Sequence, residues 1–176
     1  MMRIALICGS VRPNSFTKKV LRKIEGNLEG TGIDIDFIDF STDPLEIFDG
    51  TNQEADGAHS FINRMSLADG ILIACPEYHN SFTGVLKNAF DYLSSDQVAE
   101  KPIGLIATSG GGKGGINCLN GMRLFLRGMY GLVLPDQVVL NRSDAVDSES
   151  LARALEVAQS VINYSRLLKV ENAVVN

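Results

Sequence analysis

Five short apolar runs, separated by amphipathic stretches, organise the chain. Arg3 to Cys8, Gly70 to Cys75 and Ile103 to Thr108 are almost continuously apolar, as expected of strands covered on both faces. Ile33 to Phe40 and Leu132 to Leu140 complete a set of five strands. Helical spacing fills the intervals. Ser15 to Glu29 carries Phe16, Val20, Leu21, Ile24 and Leu28 at that spacing, and Gln53 to Leu67, Thr83 to Leu93, Gly115 to Met129 and Asp147 to Leu168 follow suit. Ser41 to Thr51, with Pro44, Asp49 and Gly50, has no period and reads as a loop. Glu171 to Asn176 is expected to be a loose tail. Strict strand and helix alternation, with right-handed crossovers, predicts an α/β fold: a three-layer α/β/α sandwich around a five-stranded parallel sheet. The common order for such a sheet is 2-1-3-4-5, and ligands then sit where the winding reverses, beyond the carboxyl ends of the first and third strands.

Three polar loops follow strands one, three and four, and so share that edge. The first is Gly9-Ser10-Val11-Arg12-Pro13-Asn14-Ser15-Phe16-Thr17, which opens a helix whose unpaired amides and dipole favour an anion. Capping by Ser15 or Asn14 explains one polar side chain. It does not explain Ser10, Asn14, Ser15 and Thr17 gathered around Arg12, a donor set suited to a phosphate monoester. The second loop is Pro76-Glu77-Tyr78-His79-Asn80-Ser81, and the third is Ser109-Gly110-Gly111-Gly112. Glycines let backbone N–H groups approach a flat ligand closely. One flat, anionic ligand accounts for all three loops together. Glu77 can serve such a ligand or local structure, and both readings stand at this point.

Composition removes several alternatives. At 176 residues with 45% hydrophobic content the chain suits one domain, taken as residues 1–176. A net charge of -5, with only Lys18, Lys19, Arg22 and Lys23 clustered, argues against nucleic acid as the principal ligand. Met1-Met2-Arg3 runs directly into strand, and no apolar run approaches the ~18 residues of a membrane span, so a cytoplasmic protein without a membrane partner is expected. Cys8, Cys75 and Cys118 lack the spacing of a zinc site and read as packing residues. His59 and His79 lack metal-ligand neighbours, so no metal is expected. Gly112-Lys113 is followed by Gly114, not Ser or Thr, which excludes a Walker loop. Gly110, Gly112 and Gly115 fit GxGxxG, but after the fourth strand rather than the first.

Gly9-Ser10-x-Arg12-x-x-Ser15 and Pro76-Glu77-Tyr78-His79-x-Ser81-x-x-Gly84-x-Leu86-Lys87-Asn88-Ala89-x-Asp91 resemble the NAD(P)H-dependent FMN reductase family, which includes azoreductases, quinone reductases and chromate reductases. The likeness continues through Ser109-Gly110-Gly111, Gly114-Gly115, Met122-Arg123 and Leu134-Pro135. It implies a flavodoxin-like fold, noncovalent FMN, and a homodimer or homotetramer with the flavin near a subunit interface. By the same resemblance Ser10, Arg12, Ser15, Phe16 and Thr17 match the phosphate loop. Pro76, Glu77, Tyr78 and His79 match the segment along the isoalloxazine, and Ser109, Gly110, Gly111 and Gly112 match the third loop. Many relatives have Asn at position 79 and Pro at position 83, where this chain has His79 and Thr83.

The implied activity is ping-pong hydride transfer from NADPH or NADH to FMN, and on to a small-molecule acceptor such as a flavin, quinone, azo compound or chromate. The cofactor carries that chemistry, so no side chain is assigned as catalytic. Lys18, Lys19 or Arg22 can meet a 2′-phosphate only if the fold brings them to it. The helix Gly115 to Met129 bears Met122, Leu124, Phe125, Leu126 and Met129, and Tyr92 falls outside the apolar side of the preceding helix; this surplus apolar surface is expected to meet a second subunit. A flavodoxin-type electron carrier or a flavin-binding sensor is the alternative. A receiver domain would need acidic residues where Cys8-Gly9 and Cys75-Pro76 stand.

Overall fold

The computed structural model describes residues 1–54, 56–110, 114–141 and 146–175. Its strands are β1 (Met2–Cys8), β2 (Ile33–Asp39), β3 (Gly70–Pro76), β4 (Pro102–Ser109) and β5 (Leu132–Asn141). Its helices are α1 (Phe16–Leu28), α2 (Asp56–Leu67), α3 (Gly84–Asp91), α4 (Ile116–Gly128) and α5 (Ser148–Val175). All strand pairs are parallel and the order is β2-β1-β3-β4-β5, as the alternation predicts. Each strand sits within two residues of its expected bounds. The last helix differs more: it continues past Leu168 to Val175, through the segment expected to be loose.

Side-chain alternation along the strands builds two cores. Ile4, Leu6 and Cys8 of β1 face one way and pack with Val20, Leu21 and Ile24 of α1 and Ala154, Val157 and Val161 of α5. Ala5 and Ile7 face the other way, toward Phe61 and Met65 of α2, Leu86 and Phe90 of α3, and Leu119 and Met122 of α4. Burying each large aliphatic side chain contributes about 1.5–3 kcal/mol before entropy is charged against it. β2 is the half-covered edge. There the Arg22 guanidinium lies 3.6 Å above the Phe37 ring, and Arg64 holds Asp36 through Nη2 at 2.5 Å.

The loop after β2 is clamped over α3. Asn88 donates to the Glu46 carbonyl at 2.7 Å and accepts from the Phe48 amide at 2.8 Å. The Tyr92 hydroxyl donates to Glu46 and accepts from Asn52, while its ring meets Phe48 edge-on at 5.0 Å. Tyr92 is therefore buried, which corrects its expected place in the surplus apolar surface: an aperiodic loop covers it.

Asp39 ends β2 beneath α1. Its carboxylate accepts from Lys18 Nζ at 2.8 Å and from the Ser41 amide and hydroxyl at 2.9 and 2.7 Å. Burial alone would raise this carboxyl; the bonds from Lys18 and Ser41 outweigh it and hold the group below the usual aspartate range.

Two outcomes follow from these contacts. A Cβ on Gly104 would lie 2.7 Å from Val161 and 2.9 Å from Val157, so Gly104→Ala should push α5 off the sheet and cost about 1–3 kcal/mol in urea unfolding; an unchanged midpoint would contradict the close approach. The folded Asp39 carboxyl titrates below its unfolded value of about 3.9, so its contribution is present above about pH 4 and is lost as pH falls through the folded value. Between pH 6 and pH 3 the unfolding midpoint should fall more steeply for the wild type than for Asp39→Asn, and parallel curves would remove Asp39 from the account.

Candidate functional site

At the carboxyl edge of the sheet, residues of the three loops line one cleft of about 260 Å³. Ser10, Arg12, Asn14, Ser15, Phe16 and Thr17 form one wall, Pro76, Glu77 and Tyr78 a second, and Thr108, Ser109 and Gly110 a third. Cross-loop hydrogen bonds fix the arrangement. The Gly9 amide donates to Ala74 O at 2.8 Å, the Glu77 amide donates to Thr108 O at 2.8 Å, and the Thr17 and Thr108 hydroxyls share a buried bond of 2.7 Å. Gly9 has to be glycine for this, because a Cβ there would meet Cys75 Sγ at 2.9 Å.

The first wall is the N-terminus of α1. Ser15 Oγ accepts from the Lys18 amide at 3.0 Å and caps the helix, leaving its O–H free to donate. The Ser10 hydroxyl is buried, with the Arg12 amide 3.4 Å away. No acidic residue occupies the first turn. Among the described residues the Phe16 and Thr17 amides have no acceptor and Arg12 has no carboxylate within ion-pairing distance. The wall thus offers two backbone donors, three hydroxyls and one guanidinium. That set matches the three oxygens and double charge of a phosphate monoester.

The second wall is a hairpin. Tyr78 and Ser81 exchange backbone hydrogen bonds of 2.9 and 3.1 Å, and His79 and Asn80 between them take φ of 52° and 62°, the left-handed pair of a type I′ turn. Tyr78 stands half-exposed at the cleft mouth. His79 is exposed at the turn tip and does not line the cleft. Phe82 anchors the hairpin against Phe125 of α4 at 5.0 Å between ring centroids. Thr83 caps α3 and donates its hydroxyl to Gly9 O at 2.7 Å, so it ties the hairpin to the first wall.

Glu77 has a defined structural partner. Its carboxylate accepts from the Cys118 amide at 3.0 Å, supplying from a distance the cap that Gly115 lacks a side chain to give. A Cβ on Gly114 would lie 2.9 Å from the Ser109 side chain and 3.1 Å from the Glu77 carboxylate, so the third wall is pressed onto the second. Ser109 Oγ donates to Asn141 Oδ1 at 3.0 Å. Gly111 and Gly112 lie outside the described residues. Thr108 joins the site although sequence reasoning passed over it; its only signal was its place beside Ser109 at the end of a buried strand.

The three thiols are buried beneath the cleft. Burial pushes the Cys8 thiol up to about 11, and a hydrogen bond with Cys75 together with burial raises Cys118. Cys8 and Cys118 stay protonated packing groups at neutral pH. Burial alone would raise the Cys75 thiol as well, but hydrogen bonds with Cys118 and Thr83 outweigh it and hold Cys75 below its usual range. Among the described residues no group of three or more His, Cys, Asp or Glu lies close enough to hold a metal ion, and no helix is long and apolar enough to cross a membrane.

A family model described as NADPH-dependent FMN reductase matches residues 2–145. An NADPH azoreductase from a Bacillus species is 37% identical over 150 residues, covering 84% of this chain and 82% of that one. An FMN-dependent NADPH-azoreductase from Staphylococcus haemolyticus is 32% identical, covering 81% of this chain and 79% of that one. Among solved structures, an oxidoreductase from Corynebacterium diphtheriae superposes with a TM-score of 0.78 over 93% of this chain and 96% of its own, at 19% identity, a likeness of fold. These likenesses carry the reductase activity and the FMN and NADPH expected from the loop motifs, and the chain belongs to the NADPH-dependent FMN reductase family.

Proposed function

We propose that the chain is an FMN-dependent NAD(P)H oxidoreductase in which bound FMN takes a hydride from the reduced nicotinamide and passes it, in a ping-pong cycle, to a small-molecule acceptor. The observation that carries this reading is the meeting of all three loops in one cleft whose donors suit a phosphate monoester at one end. Ser10, Arg12, Ser15 and Thr17, with the Phe16 and Thr17 amides, would hold the phosphate. Pro76, Glu77 and Tyr78 would run along the isoalloxazine, with His79 at the tip of that hairpin. Ser109 and Gly110, and by sequence Gly111 and Gly112, would offer backbone donors to its polar edge.

The chain's own task is then to hold, orient and shield, with one side left open beside Tyr78 where donor and acceptor enter in turn. Similarity to NADPH azoreductases supports an azo compound as acceptor; a quinone, free flavin or chromate fits the same open face. Free buried thiols suit a reducing cytoplasm. Assembly into a homodimer or homotetramer is supported by α4, where Met122 and Leu126 are buried but Leu124 remains 75% exposed and Ile116 49%.

FMN added to the purified protein should bind, and anaerobic NADPH should bleach it. Binding without bleaching by NADPH or NADH would point to an electron carrier, and absence of binding would overturn the cleft assignment. Arg12→Ala should weaken FMN by about 10- to 100-fold, the size of one charge-assisted contact, with an unchanged unfolding midpoint. Sedimentation should return at least twice the chain mass for the wild type and a smaller particle for Leu124→Asp; a monomeric wild type would remove the assembly reading.

A further inference from the structure

A second groove, of about 540 Å³, runs along the outer side of α1. It is lined by Asn14, Ser15, Lys18, Lys19, Arg22 and Lys23. Asn14 and Ser15 also line the cleft, so the two spaces adjoin across one turn of chain. The four residues clustered in sequence thus form one cationic wall.

That wall is costly for the helix that bears it. Lys18 and Arg22, and Lys19 and Lys23, are like-charged pairs four residues apart, each unfavourable by about 0.2–0.5 kcal/mol. They lie in the first turns of a helix whose N-terminal end is already positive and carries no acidic residue. Two of the charges are compensated within the chain: Lys18 by Asp39 at 2.8 Å and Arg22 by Glu25 at 2.7 Å. Lys23 Nζ donates to the Val146 carbonyl at 3.0 Å and lies near enough to the Asp147 carboxylate to help hold it below its usual range. The Lys19 ammonium has no hydrogen-bond or ion-pair partner among the described residues. Among the described residues Lys19 therefore presents an ammonium group without a carboxylate partner, one helical turn from Lys23, whose ammonium is shared with the exposed Asp147, and both line a space large enough for an adenine nucleotide.

We infer that this groove receives the 2′-phosphate of the adenosine half of NADPH, and that Lys19 and Lys23 set the preference for NADPH over NADH. The inference rests on the proposed function, which brings a reduced nicotinamide to the adjoining cleft. NADPH differs from NADH by one phosphate monoester of about -1.5 to -2 charge at neutral pH, which matches two ammonium groups acting as point charges. A nucleic-acid backbone would also meet cations, but the chain's net charge of -5 opposes a polyanion while leaving a small, locally matched dianion free to bind.

The test uses FMN-loaded protein, wild type and Lys19→Ala/Lys23→Ala, titrated calorimetrically with 2′,5′-ADP and with 5′-AMP. The wild type should bind 2′,5′-ADP about 10- to 100-fold tighter than 5′-AMP, and the double variant should lose that difference. In turnover the variant's KM for NADPH should rise by a similar factor, with KM for NADH, kcat and FMN affinity unchanged. Equal binding of the two nucleotides by the wild type, or a difference that survives in the variant, overturns the groove assignment alone. Failure of the wild type to bind FMN overturns the proposed function and this inference with it.

Discussion

Gly9 lies against β3 with its amide bonded to Ala74 O and its carbonyl receiving the Thr83 hydroxyl. The strand that starts the chain and the hairpin that follows the third strand are held together at this point, across the reversal in sheet winding. A side chain at Gly9 would separate them, since Cys75 Sγ fills the space a methyl would need. From there the bonds spread outward: Glu77 to Thr108, Thr108 to Thr17, and the Glu77 carboxylate to the amino end of α4. Each wall of the cleft is thus bonded to another wall. Such preorganisation suits a protein whose cofactor does the chemistry, because the ordering cost is met during folding rather than at binding.

Several residues of the loop signatures never reach the cleft. Asn88 spends both ends of its amide on the backbone of the loop after β2. Arg123 joins α4 to β5, through Gln137 at 2.7 Å and the Leu134 carbonyl at 2.6 Å. These are long-range polar clamps on otherwise apolar layers. A family pattern therefore mixes residues facing the ligand with residues that hold the walls apart at the right spacing, and only geometry separates the two.

The sheet and its order were legible because β1, β3 and β4 are almost continuously apolar runs, a local signal of burial on both faces. The cleft was legible because its donors follow those strands directly in the chain. What lay hidden depends on contacts distant in sequence. Tyr92 looked exposed by helical phase, but a loop without any period folds back over it. Glu77 could not be assigned from its neighbours, since its partner amide is that of Cys118, 41 positions on. His79 shared a motif with Tyr78 yet sits at the tip of a left-handed turn, where its direction is set by backbone twist rather than by the motif. The end of α5 was missed because the tail Glu171 to Asn176 has little amphipathic pattern of its own.

The sheet also works as a partition. The anion-facing helix and its cationic flank belong to the layer of α1 and α5, whereas the hairpin anchor Phe82 and the exposed surface of α4 belong to the opposite layer. The sheet stands between them, with the two cores on its opposite faces. A charge exchanged on the outer side of α1 leaves the second core untouched, and an apolar residue exchanged on α4 leaves the first untouched. On the roles proposed for the α1 groove and for α4, choice of electron donor and mode of assembly could diverge on separate schedules within a lineage, because the two helices pack on opposite faces of the sheet.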